Sequence, residues 1–403
     1  MGLIVQKFGG TSVANPERIA NVAKIITETY AEGNDVIAVV SAQGKTTDEL
    51  IAQAAEINPK ASLREMDVLL SAGEQMSMSL LAMAIDKMGF PVKSLTGWQA
   101  GFLTDSSHGR ARIRRIDKER LENEISKRNI IIVAGFQGIN RYDDITTLGR
   151  GGSDTSAVAL AAVLHADNCQ IYTDVDGVYT ADPRVVKGAK KLDEITYDEM
   201  LELASLGANV LHNRSVEMGK KYSVPMEVLS SLERKPGTQI KEVIKVEKML
   251  IKGVARDNDV ARVSIVGVPD TPGVAFKVFS QLAAKKVNVD IILQSIGRDG
   301  TKDISFTTSR SHKDLAIEIL TDIKDNLKAH DVVCDDNISK VSVVGAGMQS
   351  NPGVASKMFE ALSEAGVNIQ MISTSEIKIS VLIELKDSEK ALNAIHDAFI
   401  DED

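Results

Sequence analysis

Short apolar runs alternate with longer amphipathic stretches over residues 2 to about 230 of the chain. The runs are β-branched, end in Gly or polar turn residues, and predict buried strands at 3–5, 36–40, 130–134 and 170–173. Apolar residues at three- and four-residue spacing predict helices at 16–32, 65–88, 118–127, 155–165 and 197–206. Alternating strands and helices indicate a parallel sheet covered on both faces, with a ligand site at the carboxyl ends of its strands.

The C-terminal part of the chain contains an internal repeat. Val-Ser-Ile-Val-Gly at 263–267 and Thr-Pro-Gly-Val-Ala at 271–275 return as Val-Ser-Val-Val-Gly and Asn-Pro-Gly-Val-Ala at 341–345 and 351–355. Each copy predicts the order strand, helix, strand, strand, helix, strand, with its proline at the first helical position. Copy two ends in a helix at 389–399 and lacks its last strand. We expect the apolar run 249–254 to supply it, so that copy one is inserted within copy two.

A polar, turn-rich segment at 230–238 is a plausible exit from the first domain. The chain therefore divides into a domain at 1–240 and two smaller domains at 263–336 and 341–403, the last completed by 249–254. The predicted fold class is α/β for the first domain and α+β for the two repeats.

Composition narrows the class of function. The chain has 403 residues, a formal net charge of -9 and only 4% aromatic residues, which argues against nucleic-acid binding. The basic cluster 110–115 is then a solvated or substrate-edge face. Cys169 and Cys334 form no disulfide framework, the N-terminus shows no leader pattern, and no apolar run spans a bilayer. These observations predict a cytoplasmic protein without membrane attachment.

The first candidate for chemistry is the loop after the first strand, Lys7-Phe8-Gly9-Gly10-Thr11-Ser12. Two glycines let backbone N–H groups approach an anion, the hydroxyls add donors, and the following helix adds its dipole. Lys7 places a cation at the same point. The pattern favours a phosphate site over a tight turn with a solvated lysine.

A second glycine loop, 148–154, leads into the predicted helix from Thr155. A dinucleotide fingerprint fails because Asp154 stands at its third glycine, and a serine-hydrolase elbow fails because Thr155 stands where Gly is needed. Arg150 and two glycines before a helix suit a carboxylate or a phosphate. The sequence therefore predicts an anion-binding loop.

Three further segments leave alternatives open. Gly44-Lys45-Thr46 imitates the end of a P-loop, but Val39 replaces the first glycine, so 46–50 is either a helix N-cap or a substrate contact. Glu74 follows a glycine within a helical pattern and is either a ligand or solvated. The stretch 173–184 is either a polar loop at the carboxyl end of a strand or a plain turn, and it is no EF-hand because Val178 offers no oxygen. The six histidines show no metal-ligand spacing.

The chain has the loops 7–12, 148–154 and 173–184 in this order, followed by the repeat. In this combination it resembles the aspartokinases of the amino-acid-kinase family. In that family a kinase domain is followed by paired ACT domains, which are modules that sense small molecules. The resemblance covers essentially the whole chain and looks like the monofunctional form. It implies a carbamate-kinase-like parallel-sheet domain and two ferredoxin-like ACT domains.

The resemblance implies transfer of the γ-phosphoryl group of MgATP to the β-carboxylate of L-aspartate. It implies catalytic roles for Lys7 and Asp154, with Mg²⁺ held mainly by the nucleotide and no protein ligand for it. The implied substrate contacts are Thr47, Glu74, Arg150, Gly151, Gly152 and Ser153. The implied ATP contacts are Lys7, Phe8, Gly9, Gly10, Ser12, Thr173, Asp174, Tyr179, Asp182 and Arg184.

The repeats would bind lysine, threonine or both as feedback inhibitors. The implied effector contacts are Asp270, Asn288, Val289, Asp290 and Gln294 in copy one, and Gly353, Asn368, Ile369 and Gln370 in copy two. Copy two has Ser350 where copy one has Asp270. If an acid holds a lysine side chain, the copies differ in what they bind.

Two other functions compete with this one. One is an amino-acid kinase acting on glutamate or acetylglutamate, against which the ACT tail and the set Thr47, Glu74 and Arg150 argue. The other is a catalytically idle amino-acid sensor, which the intact Lys7, Arg150 and Asp154 disfavour. ACT pairing implies at least a homodimer. As in some relatives, an internal start at Met249 could also produce an ACT-only subunit.

Overall fold

The computed structural model describes residues 2–206, 210–242, 251–295, 297, 300–346, 348, 351 and 353–400. These residues form two compact units. Unit 1 contains residues 2–179, 191–205 and 210–242, and unit 2 contains 180–190, 206 and the described residues from 251 onward. The short segment 180–190 therefore leaves the unit that surrounds it in sequence.

Unit 1 contains seven helices and twelve strands among its described residues. The helices are α1 (Pro16–Ala31), α2 (Thr46–Ile57), α3 (Leu63–Lys87), α4 (Glu119–Ser126), α5 (Gly152–Leu164), α6 (Tyr197–Ser205) and α7 (Asn213–Tyr222). The strands are β1 (Leu3–Phe8), β2 (Asp35–Val40), β3 (Val92–Leu95), β4 (Phe102–Thr104), β5 (Ile113–Ile116), β6 (Ile130–Ala134), β7 (Gln137–Ile139), β8 (Ile145–Thr147), β9 (Asn168–Thr173), β10 (Glu194–Thr196), β11 (Met226–Ser230) and β12 (Thr238–Lys241).

Eight of these strands form one sheet in the order β10-β12-β11-β9-β1-β2-β6-β3. β1 lies inside the sheet and pairs in parallel with β2 and β9, which brings the carboxyl ends of the three strands to one edge. The sheet is mixed, because β12 runs antiparallel to β11. Helices α1 and α3 share a core with one face, and α5 packs on β1, β2 and β9. The predicted α/β class is confirmed by this sheet, and the carboxyl ends of its parallel strands are where the sequence predicts a ligand site.

Some helices and strands begin or end at other residues than the sequence pattern predicts, because glycine or polar residues belong to them. β1 runs on to Phe8, so Lys7 is a strand residue rather than part of a loop. α5 begins at Gly152, three residues before the predicted start, because Gly151 takes a left-handed conformation and caps the helix. A second sheet, β5-β4-β7-β8, was not predicted, since its strands have only three or four residues each.

Unit 2 contains two four-stranded antiparallel sheets. Its described strands are β13 (Gly253–Asp257), β14 (Ala261–Pro269), β15 (Ile292–Gln294), β16 (Thr301–Thr308), β17 (Asp331–Asp335), β18 (Ile338–Val344), β19 (Met371–Thr374) and β20 (Lys378–Glu384). Its helices are α8 (Val274–Ala284), α9 (Lys313–Lys324), α10 (Val354–Glu364) and α11 (Ser388–Ile400). The sheet orders are β15-β16-β14-β17 and β13-β18-β20-β19.

The two sheets match in detail. Ser264 and Ser305 share a hydroxyl hydrogen bond of 2.7 Å in one sheet, and Ser342 and Ser380 share one of 2.7 Å in the other. In each copy a glycine with positive φ, Gly273 or Gly353, caps the first helix. The prediction of proline at the first helical position is wrong for Pro272, because Gly273 caps α8 and Val274 begins it. Pro352 lies outside the described residues.

The fourth strand of the second sheet is β13, which precedes copy one in the chain and pairs antiparallel with β18. Copy one, β14 to β17, is thus inserted between two strands of one sheet. The strand occupies 253–257 rather than 249–254, because its pairing partner β18 ends at Val344, opposite Gly253. Met249 and residue 250 lie outside the described residues.

Helix α3 is long and apolar enough to cross a membrane by length and composition, although 39% of its apolar window is buried within the protein. It contains the buried carboxyls of Asp67 and Glu74 and packs against α1, α2, β3 and β6.

Candidate active site

The centre of the site in unit 1 is an ion pair at the carboxyl end of β1. The Nζ atom of Lys7 lies 2.7 Å from Oδ1 of Asp154, and the two side chains are only 12% and 11% exposed. Asp154 belongs to the first turn of α5, where a negative charge also interacts favourably with the helix dipole. The structure therefore brings together the two residues to which the sequence resemblance gave catalytic roles.

The glycines after β1 allow a close backbone approach. A Cβ atom on Gly10 would lie 2.6 Å from the carbonyl oxygen of Ala42, and the N–H of Gly44 donates to the carbonyl of Gly10 at 3.0 Å. The N–H of Gly9 points to the carbonyl of Tyr172 over 3.4 Å, a long bond. Gly10 is thus required for the loop after β2 to reach this turn.

Two predicted ATP contacts lie inside the protein. Phe8 is fully buried, and its ring stacks on that of Tyr172 with centroids 4.7 Å apart. Ser12 is also buried, and its hydroxyl donates to that of Ser231 at 2.8 Å. Ser231 in turn donates to the carbonyl of Thr173, which links the first glycine loop to the end of β9. The sequence pattern did not single out Ser231.

Glu74 lies on the buried face of α3 and is 4% exposed, so the solvated alternative is wrong. Its Oε1 atom accepts the N–H of Ala42 at 3.1 Å, and its Oε2 atom is buried without a hydrogen-bond partner among the described residues. Burial raises the pKa of this carboxyl to about 7. Gly73 permits the approach, since a Cβ there would lie 2.8 Å from the Cβ of Ala42. A buried oxygen without a partner is suited to a cationic ligand.

The second glycine loop turns sharply into α5. Gly149 and Gly151 have φ of 79° and 65°, and a Cβ on Gly151 would lie 2.2 Å from His212. Gly152 and Ser153 are buried in the first turn of the helix. Arg150 is exposed and makes no ion pair with any described residue. The loop therefore presents the Arg150 guanidinium beside a helix N-terminus, where the sequence predicts an anion site.

Thr47 is partly buried in the first turn of α2. The N-cap position is held by Lys45, and no side chain caps the helix. The N-cap interpretation of 46–50 is therefore wrong, because both threonines already have helical positions.

The predicted nucleotide stretch is divided between the two units. In unit 1, Thr173 donates to Asp174 at 3.1 Å at the end of β9, and Tyr179 donates to Asp176 at 2.7 Å. The bond to Asp176 raises the pKa of Tyr179 to about 12. Asp176 was not predicted as a site residue, although it lies within the polar loop.

The rest of that stretch, including Asp182 and Arg184, belongs to unit 2. Arg184 donates to Asp182 through both Nε and a terminal nitrogen at 2.9 Å, which lowers the pKa of Asp182. The segment is anchored by Thr180, whose hydroxyl lies 2.9 Å from Nε2 of the fully buried His396. Sequence spacing carries no signal for this packing.

Arg214 is a further residue that the sequence pattern missed. Its guanidinium donates to the carbonyls of Leu148 and Ala111 at 2.9 and 3.0 Å, and so holds the base of the second glycine loop. Burial, with a contribution from Arg112, lowers its pKa. A lone arginine on a short helix offered no sequence signal.

The predicted effector residues lie around both sheets of unit 2. Asp270 pairs with Lys302 at 2.7 Å, and Asp290 pairs with Lys340 at 2.6 Å. Gln294 and Gln370, one from each copy, line a groove of about 540 Å³ together with Arg262, Asp303 and Asp335. Oε1 of Gln370 is buried without a partner in the described part of the chain. The remaining predicted residues are Asn288 and Val289 before β15, Gly353 at the cap of α10, and Asn368 and Ile369 before β19. Ser350 lies outside the described residues.

No group of three His, Cys, Asp or Glu side chains with metal-binding geometry occurs among the described residues.

Comparison with known proteins agrees with this architecture. The model of the amino acid kinase family matches residues 2–230, and an ACT domain model matches twice, at 263–322 and 341–399. An aspartate kinase of Stutzerimonas stutzeri is 52% identical over 401 residues, which cover 99% of this chain and 97% of that protein.

Two solved structures are similar over the whole chain. E. coli aspartokinase III in complex with aspartate and ADP is 26% identical with a TM-score of 0.84, and covers 98% of this chain and 99% of its own. The same enzyme in complex with lysine and aspartate is 25% identical with a TM-score of 0.77, over 99% of each chain. The fold and the site thus define an amino acid kinase with ACT domains. The chain belongs to that family and, within it, to the aspartokinases, so it is an enzyme and a kinase.

Proposed function

We propose that this protein transfers the γ-phosphoryl group of ATP to the β-carboxylate of L-aspartate and yields 4-phospho-L-aspartate. The observation that carries the proposal is the Lys7–Asp154 pair at the sheet edge, with the buried, half-satisfied carboxyl of Glu74 on the neighbouring helix. The complex of E. coli aspartokinase III with aspartate and ADP supports it.

Unit 1 contains complementary partners for the α-ammonium and α-carboxylate groups of an amino acid. Glu74 accepts the α-ammonium group through Oε2, and Arg150 pairs with the α-carboxylate in a bidentate manner. Thr47 and Ser153, with the backbone of Gly151 and Gly152, fix the side chain of the substrate. An ionised Glu74 is required for this role, and the ammonium group itself favours the ionised form.

Lys7 neutralises the charge that develops on the transferring phosphoryl group, and Asp154 orients the lysine through the 2.7 Å contact. The amides of Gly9 and Gly10 hold phosphate oxygens. The nucleotide contacts in unit 1 include Thr173, Asp174 and Tyr179. Positioning and charge stabilisation suffice, because phosphoryl transfer needs little covalent help from the protein. Mg²⁺ neutralises the phosphates when bound, and is held mainly by the nucleotide.

The repeats make the enzyme responsive to its end products, lysine, threonine or both. The supporting observations are the ACT matches, the E. coli enzyme in complex with lysine, and the groove shared by Gln294 and Gln370. We further propose a kinase domain at 1–240, ACT domains at 263–336 and 341–403, a cytoplasmic location, and a homodimer or larger assembly through ACT pairing.

The test is the initial rate of ADP release with MgATP and L-aspartate, with and without lysine and threonine, and with glutamate as control substrate. Turnover that depends on aspartate and is suppressed by either amino acid supports both parts of the proposal. Turnover on glutamate alone contradicts the substrate, and amino-acid binding without turnover leaves only a sensor.

A further inference from the structure

Asp67 is a buried carboxylate on α3 that has no role in the proposed site. Its side chain is 1% exposed, yet it receives several hydrogen bonds. Oδ1 accepts the hydroxyl of Thr147 at 2.5 Å, Oδ2 lies 2.9 Å from Nδ1 of His108, and both oxygens accept the N–H of Gly109 at 3.0 Å. A buried carboxylate is costly unless it is bonded in this way, so these donors are fixed around Asp67.

The donors belong to two segments that form the base of the second glycine loop. Thr147 ends β8 and stands three residues before Arg150. The N–H of Ala111 donates to the carbonyl of Thr147 at 2.8 Å, and a Cβ on Gly149 would lie 3.1 Å from the carbonyl oxygen of Gly109. Asp67 therefore holds both the strand that enters the loop and the segment on which the loop rests.

Helix α3 also carries Glu74, seven residues after Asp67. Seven residues make two turns, so the two carboxyls lie on the same face of a rigid helix, roughly 10 Å apart along its axis. Glu74 reaches Ala42, while Asp67 reaches the loop that bears Arg150. Helix α3 thus fixes the position of Glu74 directly and that of the Arg150 loop through Asp67, and these are the two groups proposed to bind the amino acid.

We propose that Asp67 is a positioning residue that sets the distance between Arg150 and Glu74, and with it the fit of the α-carboxylate and α-ammonium groups of the substrate. The inference rests on the proposed function for the identity of the substrate. If Asp67 has this role, loss of its hydrogen bonds weakens amino-acid binding and leaves nucleotide binding unchanged.

The experiment compares Asp67→Asn and Thr147→Val with the wild-type enzyme in steady-state kinetics. Asp67→Asn replaces one acceptor by a donor that faces N–H groups, and we expect the KM for L-aspartate to rise roughly 10- to 100-fold. The KM for ATP stays within about twofold of wild type. Thr147→Val removes a single donor and gives a smaller rise, and Thr147→Ser restores the wild-type value.

The matched control is Thr27→Val, the same isosteric change at a buried hydroxyl on α1 that, among the described residues, bonds only to the carbonyl of Lys24. We expect it to leave both KM values unchanged. Equal increases in the two KM values, a fall in kcat alone, or a Thr147→Val variant that behaves like Thr27→Val would overturn the proposal. If Asp67→Asn does not fold, the two Thr147 variants decide.

Failure of the proposed function is recognised separately, in the wild-type enzyme. If that enzyme turns over another amino acid instead of aspartate, the same comparison of KM values is made with that substrate. If it turns over none, the Kd of L-aspartate measured by calorimetry takes the place of KM.

Discussion

Lys7 and Asp154 lie 2.7 Å apart although 146 residues of chain separate them, because the parallel pairing of β1 and β9 brings the start of α5 over the end of β1. Each is nearly buried, so each charge depends on the other. The pair holds the lysine at the carboxyl end of β1, beside the first glycine loop.

We expect Lys7→Ala to lower kcat roughly 100- to 1000-fold, as loss of a charge-stabilising group in a transition state does. Asp154→Asn should lower kcat less, since the lysine loses its orientation but not its charge. The double variant should be little worse than Lys7→Ala, because the two residues act as a unit. The measurement is kcat for ADP release. Lys24→Ala is the control, since Lys24 is exposed and its one ion pair within the described part of the chain is with Glu28 at 3.8 Å. Additive losses in the double variant would contradict a shared role.

The KM for L-aspartate should depend on pH through Glu74. Its pKa of about 7 means that the carboxyl loses its charge as the pH falls below 7. The ammonium group of the substrate then loses its partner, and we expect KM to rise about tenfold per pH unit below that point. Initial rates between pH 5.5 and 8.5 measure this. A KM for aspartate that stays flat over the range in the wild-type enzyme would count against Glu74 as the ammonium partner.

The same carboxyl should make the fold less stable at high pH. Its pKa is higher in the folded chain, about 7, than the ordinary 4.5, so the folded state binds the proton more tightly and stability falls as the pH rises through this window. Glu74→Gln cannot ionise, and we expect it to raise the free energy of unfolding at pH 8 by up to about 3 kcal/mol. At pH 4.5 the variant should match the wild type, which urea unfolding at the two pH values can check. Equal stability of both proteins at pH 8 would show that burial does not penalise the charge.

Gly10→Ala should lower both the stability and the affinity for ATP more than Gly9→Ala does. The Cβ on residue 10 would meet the backbone oxygen of Ala42 at 2.6 Å, whereas on residue 9 the nearest atom is the flexible Nζ of Lys7 at 3.5 Å. We expect Gly10→Ala to cost roughly 1–3 kcal/mol of stability and to raise the KM for ATP. Gly9→Ala should keep the wild-type Tm. A Gly10→Ala protein with unchanged Tm and KM for ATP would show that the turn after β1 and the loop after β2 can move apart without cost.

Asp270→Asn should weaken inhibition by lysine without changing the uninhibited rate. Asp270 is half-exposed and pairs with Lys302 through one oxygen, which leaves the other for a ligand. Loss of one charged hydrogen bond corresponds to roughly a tenfold higher concentration of lysine for half-inhibition. Asp314→Asn serves as the control, because Asp314 is 92% exposed on the first turn of α9. An unchanged lysine response would contradict a role for the acid in copy one.

Much of the fold followed from the hydrophobic pattern. The strands and helices around β1, β2, β6 and β9 were predicted within a few residues, because each is a continuous apolar run or a regular helical stripe. The short strands β4, β5, β7 and β8 were not, since three or four residues carry no readable period. Anion binding by the two glycine loops stays a prediction, which depends on glycine, lysine and arginine at strand and helix ends.

The burial state of single site residues was harder to read. Glu74 and a solvated glutamate look alike in sequence, and only the approach of Gly73 to Ala42 shows that the carboxyl is enclosed. The hydroxyl of Ser12, a predicted ATP contact, is buried and donates to Ser231, which lies 219 residues later in the chain. Both outcomes depend on packing between elements distant in the chain.

By itself, the sequence determined the classes of element, the repeat, the residue types at each strand end and the family resemblance, because these depend on local spacing and on residue chemistry. Only the tertiary structure decided which of those residues meet. It placed Lys7 against Asp154, joined Asp67 to Thr147 and Gly109, and assigned the segment 180–190 to unit 2. Such contacts join residues far apart in the chain, and their geometry is set by how sheets and helices pack, which no local pattern records.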